Sequence, residues 1–523
     1  MDALLRMDSV TKSFPGVLAN DRISFEVAEG EVHALLGENG AGKTTLMRIL
    51  YGMTSPDSGT IYWRGKPVRI PSSHVAIGLG IGMIHQHFML IPEFTVAENV
   101  ALGLRGDRSP LLDLRGTAQR LEALSAQFGL RVDPWARVKD LSTGEQQRAE
   151  IVKALYRGAH LLVLDEPTAV LTPGEADELF AVLDSLRAQG RAVVFISHKL
   201  REVMQISDRV TVLRRGRAVA TVPTCETSQE QLANMMVGRP VVLQIERSPA
   251  RPGKEIIRLD EVTIRSREHH RNEVEDISLT VREGEIVALT GVAGNGQRPL
   301  IEALFGLRRV SAGHISILGR DVTACRPCDL VALNVGRIPE DRQTMGLAMS
   351  LSVYENLALE TYDREPTCRW GVLRRGELRR QAQLLREEYD IRMPSIDLPV
   401  GKLSGGNQQK VILARALRRR PRAIIAVDPT RGLDVGATEF VYRQLLAARD
   451  QGAAVLLIST DLEEVLCLSD RIGVIYNGQI MGVLPATEAD ETRLGLMMAG
   501  MPLANMPDVL PPTHTFSNCS PQP

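Results

Sequence analysis

Short, largely apolar blocks recur along the chain, at residues 32–36, 161–164, 193–196 and 453–458, and amphipathic stretches such as residues 174–189 lie between them. Apolar blocks of that size suit strands buried on both faces, and the intervening stretches suit helices laid over them. The alternation predicts an α/β fold in which parallel strands are joined by helices. The same blocks are far shorter than the roughly 20 apolar residues a membrane helix needs, so any membrane role is expected to run through a partner.

The pattern also repeats. Ser24-Phe-Glu-Val-Ala-Glu-Gly-Glu-Val-His-Ala-Leu-Leu-Gly37 is echoed by Ser278-Leu-Thr-Val-Arg-Glu-Gly-Glu-Ile-Val-Ala-Leu-Thr-Gly291, an offset of 254 residues. Farther along, Leu141-Ser142 matches Leu403-Ser404 and Ser207-Asp208-Arg209 matches Ser469-Asp470-Arg471, both at an offset of 262. Val96-Ala-Glu-Asn-Val matches Val353-Tyr-Glu-Asn-Leu at 257, so the second copy gains eight residues, all between Glu340 and Ser404. A frame of fixed length around a segment of variable length marks that segment as a surface subdomain facing different surroundings in each copy. The expected organisation is a first domain over 1–240, a turn-rich linker over 241–255, a second domain over 256–501, and a disordered tail over 502–523, rich in Pro and small polar residues.

Composition narrows the function classes. In 523 residues, 62 Lys and Arg oppose 63 Asp and Glu for a net charge of -1, so no global field draws nucleic acid or an anionic membrane. A local basic patch stays open. Six scattered cysteines fit a reducing compartment, and the start, Met-Asp-Ala-Leu-Leu-Arg-Met, lacks the features of a secretion leader. Cys325-Arg-Pro-Cys328 stands without a second pair or neighbouring histidines, and the Arg runs at 374–375 and 418–420 read as solvated faces or phosphate-proximal charge.

Chemistry enters with Gly37-Glu38-Asn39-Gly40-Ala41-Gly42-Lys43-Thr44, a full phosphate-loop pattern after a predicted strand. Free backbone N–H groups and the dipole of a helix opening at Lys43 make an anion cradle, Lys43 adds charge, and Thr44 is expected to offer its hydroxyl to Mg²⁺, with Thr45 beside it. Leu161-Leu-Val-Leu-Asp165-Glu166-Pro167 delivers two carboxylates at the end of a strand, where ligands of open α/β sheets bind. Asp165 is placed to hold the metal's water shell, and Glu166 to orient or deprotonate an attacking water.

These residues resemble the ATP-binding subunits of ABC transporters, over nearly the whole chain apart from the tail. Leu403-Ser404-Gly405-Gly406-Asn407-Gln408-Gln409 is similar to that family's signature, Gln86 to its Q-loop glutamine, and His198 to its switch histidine. Phe14 falls where the family stacks an aromatic ring on adenine. The resemblance implies two tandem phosphate-loop nucleotide-binding domains, each with a mainly parallel sheet core, an antiparallel β part and a helical subdomain. It implies ATP and Mg²⁺, the latter held by Thr44, Gln86 and Asp165, with Glu166, His198 and Gln86 as the catalytic set. It also implies head-to-tail pairing, so that Ser404, Gly405, Gly406 and Asn407 of the second half would close over ATP held by the first.

The second copy departs from the pattern consistently. Its loop, Gly291-Val292-Ala293-Gly294-Asn295-Gly296-Gln297-Arg298, keeps the glycines and replaces Lys and Thr. By the offsets, Val427 stands for Asp165, Asp428 for Glu166, Thr460 for His198 and Glu340 for Gln86. Val427 cannot hold a metal, and Asp428 is one methylene shorter than Glu. No aromatic stands at the second adenine position; His269 and His270 are nearest. The signature that would complete this second site is Leu141-Ser142-Thr143-Gly144-Glu145. A site with these parts is expected to bind nucleotide at most and to hydrolyse it slowly or not at all.

Tandem halves with one degenerate site resemble the importer ATPases for simple sugars and nucleosides. Ile84-His-Gln-His-Phe-Met-Leu-Ile-Pro, the second loop, and Ile338-Pro-Glu-Asp-Arg look more like the nucleoside-uptake branch, with a ribose-, galactose- or xylose-type sugar importer as the alternative. The resemblance implies two transmembrane permease subunits, an extracytoplasmic substrate-binding protein or lipoprotein, and a peripheral place on the cytoplasmic face of the inner membrane. Residues 87–140 and 341–402 are expected to receive the permeases, with Gln86 and Glu340 as hinges. Soluble ribosome-associated or repair ATPases are the rival reading, but they carry a long charged linker and two intact sites.

Overall fold

In a computed structural model of the chain, residues 3–38, 40–85, 88–103, 113–168, 171, 173–197, 199–240, 247–266, 271–292 and 294–506 are described. The chain divides into two compact units: the described residues up to 240 together with Asp434–Gly436, and the remaining described residues from 247 onward.

In the first unit the apolar blocks form the centre of a six-stranded sheet. Its order is Arg217–Pro223, Arg209–Arg214, Val32–Gly37, Ala192–Ser197, Leu161–Asp165, Ile81–Ile84. All neighbours are parallel except the first pair, which is an antiparallel hairpin at the edge. Leu161, Leu162, Val163 and Leu164 are completely buried, and each such side chain contributes roughly 1.5–3 kcal/mol of apolar burial. That explains why the block shows no alternation: helices such as Lys43–Leu50 and Pro173–Ala188 leave the strand no wet face. A separate antiparallel sheet, ordered Val17–Ala28, Ala3–Phe14, Ser58–Trp63, Lys66–Val68, alternates buried and exposed residues as one wet face requires.

The second unit repeats both sheets. Its six strands run Val335–Ile338, Ala423–Val427, Ala454–Ile458, Ile286–Thr290, Arg471–Tyr476, Gln479–Pro485, the same order read from the opposite edge. Strand register confirms the sequence offsets residue by residue: Asp165 pairs with Ile196 as Val427 pairs with Ile458, and Ile84 with Leu164 as Ile338 with Ala426. The repeated Ser-Asp-Arg proves structural. Asp208 accepts from Val32 N (2.8 Å) and Arg209 pairs with Glu31 (2.6 Å), while Asp470 accepts from Ile286 N (2.8 Å) and Arg471 pairs with Glu285 (3.2 Å). Each motif pins the start of the strand that feeds the phosphate loop.

The lengthened segment of the second copy has a shape of its own. A π-helical turn, Arg342–Gly346, capped by Asp341 follows Glu340, and a hairpin of Cys368–Arg369 and Val372–Leu373 precedes the helix Arg375–Glu388. The variable segment of the first unit holds the helices Val96–Ala101 and Leu114–Phe128. Among the described residues, no helix is long and apolar enough to cross a membrane.

Candidate functional site

The strand Val32–Gly37 ends in the loop and the loop opens the helix Lys43–Leu50. Gly42 caps that helix with φ 103°, a conformation that strains any residue with a side chain; a Cβ there would also collide with the Ala19 carbonyl oxygen. Lys43 is buried, and its ammonium folds back to donate to the carbonyls of Gly37 (2.6 Å) and Glu38 (3.1 Å). Burial lowers the Lys43 pKa, while the carboxylates of Glu166, Asp165 and Glu38 oppose the shift. Thr44 is exposed, Thr45 half-buried, Gly40 exposed and Ala41 buried. The cradle therefore keeps one desolvated cation close to the two acids that end the Leu161–Asp165 strand.

Those acids differ in setting. Asp165 is nearly buried, and desolvation together with Glu166 raises its pKa. Glu166 leaves the strand in a left-handed conformation, φ 49°, while its N–H stays bonded to the Ile196 carbonyl (2.9 Å). Asp428 of the second unit does the same, with φ 37° and its N–H on the Ile458 carbonyl (2.8 Å). Left-handed backbone in a non-glycine residue has a free-energy cost and tends to mark sites where side-chain direction matters. Phe14 lies at the end of its strand, 45 % exposed, with the Lys12 ammonium 5.6 Å from its ring centre; it is not a core residue. Asn39, Gln86 and His198, together with His269 and His270, lie outside the described residues.

One residue near this site escaped the sequence reading. Glu202 Oε2 accepts from Thr168 Oγ1 (2.5 Å) and Ser197 Oγ (3.2 Å), and Lys199 pairs with it at 3.0 Å. It thus ties the loop after Glu166 to the strand end that precedes residue 198. In the second unit Glu464 takes the same two bonds, from Thr430 (2.7 Å) and Ser459 (2.6 Å), but Asp461 replaces the lysine. Without that cation, complete burial pushes Glu464 up to about 8. The recurrence of Thr, Ser and Glu at the 262 offset was the available signal.

At the second loop the backbone is retained and the chemistry is not. Gly296 caps the helix Gln297–Leu304 with φ 102°, and Gly294 has φ 95°. A Cβ at Gly291 would approach the Gln297 amide at 2.9 Å, so that side chain lies over the loop much as Lys43 does. Gln297 is buried, and its Nε2 has no hydrogen-bond partner among the described residues. Arg298, at the Thr44 position, faces solvent and pairs with Glu302 of its own helix at 3.5 Å. Asp428 Oδ1 accepts from Thr460 N (2.9 Å) and Thr460 Oγ1 (3.4 Å), and burial raises its pKa. Glu340 is held by Arg431, whose carbonyl accepts from Arg342 Nη1 at 2.8 Å.

The two signature segments differ in the same spirit. Ser404 is the exposed N-cap of the helix Gly405–Leu417 and makes no side-chain cap; its hydroxyl accepts from Asn407 Nδ2 (2.9 Å), and the Asn407 oxygen accepts from Arg392 N (2.8 Å). Gly405 and Gly406 follow it, half-buried, so the first-turn N–H groups remain available to an anion. In the first unit, Ser142 caps Thr143–Tyr156 through a closed box: Ser142 Oγ accepts from Glu145 N (3.3 Å), and Glu145 Oε2 accepts from Ser142 N (2.8 Å). Gly144 sits within that first turn. A carboxylate already occupies this helix start, and the bond from Ser142 N holds the Glu145 pKa low.

Cys325 and Cys328 are half-buried and exposed, and no group of three or more metal-ligating side chains occurs among the described residues.

Comparison with known proteins agrees with this architecture. The sequence pattern of the family described as "ABC transporter" matches residues 20–169 and 274–431. The chain is 46 % identical to the guanosine import ATP-binding protein NupO of Bacillus subtilis, over 96 % of this chain and 98 % of that one. It is 44 % identical to the nucleoside import ATP-binding protein NupA of Lactococcus lactis, over 95 % and 98 %. It is 45 % identical to the glucose import ATP-binding protein TsgD13 of Haloferax volcanii, over 95 % and 96 %.

Proposed function

The chain belongs to the ABC transporter family and is an ATPase of it, and from that premise we propose that it powers a membrane importer of nucleosides. End-to-end likeness to two nucleoside-import ATP-binding proteins, at 46 % and 44 % identity, carries the reading. The 45 % identity to a glucose-import protein supports a simple-sugar cargo as the second reading. The partners are two permease subunits and, through them, an extracytoplasmic binding protein, with the chain on the cytoplasmic face. The domains are 1–240 and 256–501, joined by 241–255.

Turnover in this reading belongs to the first phosphate loop. Lys43 exchanges its bonds to the Gly37 and Glu38 carbonyls for phosphate oxygens, so its buried charge is neutralised by the ligand. The loop N–H groups hold the other oxygens, and Phe14, exposed at its strand end, stacks on adenine. Thr44, Asp165 and Gln86 offer only oxygen donors, which fits a hard cation such as Mg²⁺; the ion would neutralise charge on the β- and γ-phosphates. Glu166 orients a water and takes its proton as the water oxygen bonds to the γ-phosphorus and the bridging oxygen leaves with ADP. His198 contacts the γ-phosphate. In the second unit, the helix start at Ser404, Gly405, Gly406 and Asn407 keeps uncapped N–H groups of the kind that suit a phosphate.

The second loop, Gly291 to Arg298, holds nucleotide without fast turnover in this account. The glycine backbone and the unpartnered Gln297 amide can meet phosphate oxygens. Asp428 is engaged by Thr460, and Ser142 and Gly144 present a helix start already filled by Glu145. The deciding experiment reconstitutes the chain with its permeases and binding protein and measures which solutes raise ATP turnover. Stimulation by guanosine and related nucleosides is expected. Stimulation by glucose or ribose alone would move the assignment to the sugar reading, and stable ribosome association without any membrane partner would remove the importer role.

A further inference from the structure

Arg374 and Arg375 lie within the segment 341–402 expected to receive a permease, but no nucleotide-binding role above uses them, and their surroundings are unusual. The hairpin before them pairs Cys368 with Leu373 and Arg369 with Val372, and Trp370-Gly371 forms the turn with φ 56° and 76°. Two consecutive positive φ values define a turn that favours Asn-Gly or Asp-Gly. The turn geometry does not call for a tryptophan, and Trp370 is 91 % exposed. Val372 (66 %), Leu373 (48 %) and Tyr362 (53 %) add apolar surface around it.

The base of the hairpin is firm. Arg374 N donates to the Thr367 carbonyl (2.8 Å), Cys368 N to the Arg364 carbonyl (2.8 Å), and the buried Thr367 hydroxyl to the carbonyls of Thr361 (2.5 Å) and Arg364 (2.6 Å). The tip is therefore a held protrusion. Residues 363–380 carry six arginines against three carboxylates. Glu377 is taken by Arg380 (2.7 Å) and Arg379 by Asp397 (2.8 Å), and Arg369 lies 3.7 Å from the exposed Glu365, whereas Arg374 and Arg375 make no ion pair among the described residues.

We propose that this hairpin is a peripheral anchor for an anionic phospholipid surface, with Trp370, Val372 and Leu373 entering the headgroup layer and Arg369, Arg374 and Arg375 meeting lipid phosphates. An indole with apolar neighbours and a rim of guanidinium groups matches the interface between headgroups and acyl chains. Charge complementarity favours lipid over a protein groove, because a convex tip ringed by arginines suits a soft anionic plane. The whole chain carries a net charge of -1, so attraction must be local. This role adds to the importer reading and does not depend on it.

The test uses the full chain, without permease, and vesicles of phosphatidylglycerol and phosphatidylcholine or of phosphatidylcholine alone, with lipid in large excess. Co-sedimentation with the anionic vesicles, weakening with salt, is expected, together with a blue shift of tryptophan emission that Trp370→Ser removes. Changing Arg369, Arg374 and Arg375 to Gln should weaken binding by about fivefold for each charge lost. ATP turnover of both variants should stay at the wild-type level, which shows that they fold. Equal affinity for both vesicle types, or variants that bind like wild type, would overturn the anchor. Loss of permease capture in detergent with vesicle binding unchanged would assign the hairpin to a protein contact and overturn it too.

Discussion

The two halves share a backbone and differ in what hangs from it. Both loops cap a helix with a left-handed glycine, and both strands deliver a left-handed residue at Glu166 or Asp428. In the first half a buried ammonium faces two acids; in the second an uncharged amide takes its place and the surviving acid is tied to Thr460. The signatures reverse the arrangement: Ser404 leaves its helix start open, and Glu145 fills the start capped by Ser142. Shape alone therefore does not separate the halves; the difference lies in where charge is kept and where it is already neutralised.

The strongest way to break this contrast is at the loop cation. Lys43→Ala should lower ATP turnover by about a hundredfold or more, in the range of losing one dominant transition-state charge contact, whereas Gln297→Ala should stay within about twofold. Steady-state phosphate release checks both, and a Lys43→Ala protein with full activity would end the division of labour.

A sharper probe is the carboxylate bridge. Glu202→Ala, which disconnects Thr168 from Ser197, should lower kcat by about tenfold through misplaced geometry and leave nucleotide affinity unchanged, with Glu202→Gln recovering part of the loss. Glu464→Ala should leave turnover alone, since its bonds serve the degenerate half. Equal kinetic losses from the two would show that the bridge is a fold element only.

The filled helix start predicts a smaller effect. Replacing Thr143 by Gly and Glu145 by Asn should tighten binding of a non-hydrolysable ATP analogue at the second site by about fivefold, the scale of removing one charge from a helix N-terminus. Equilibrium dialysis at two-site resolution reads this directly, and unchanged affinity would mean that Glu145 does not compete with phosphate.

The least conspicuous consequence concerns stability. Glu464 binds its proton in the folded state up to about pH 8 and in the unfolded state only near 4.5. The folded form holds the extra proton between those values, so its stability should fall as pH rises through that window and level off above it. Glu464→Gln should flatten this slope in thermal denaturation, its advantage over wild type growing toward pH 8; parallel curves would contradict the shift.

Much of this was legible in the chain because the informative contacts are local or periodic. Strand blocks, loop glycines and fixed offsets follow from spacing, and register reproduces them at Asp165 and Val427. The Ser142-x-x-Glu145 pattern could also have been read as a capping box, although it stood out as a departure from a signature. The Thr168–Glu202 bond and the Glu340–Arg431 pair were hidden, since each joins loops whose approach only the folded sheet creates; the footing of the Trp370 hairpin is local, but it carries no periodicity to read. The direction of Arg298, toward Glu302 and solvent, was equally beyond spacing.

If only the first half turns ATP over, the paired variants Glu166→Gln and Asp428→Asn should behave very differently. In the same phosphate-release assay, the first should lose at least about a hundredfold, as expected for removing a general base, and the second should remain within about twofold of wild type. Comparable losses from both would mean that the second half turns ATP over as well.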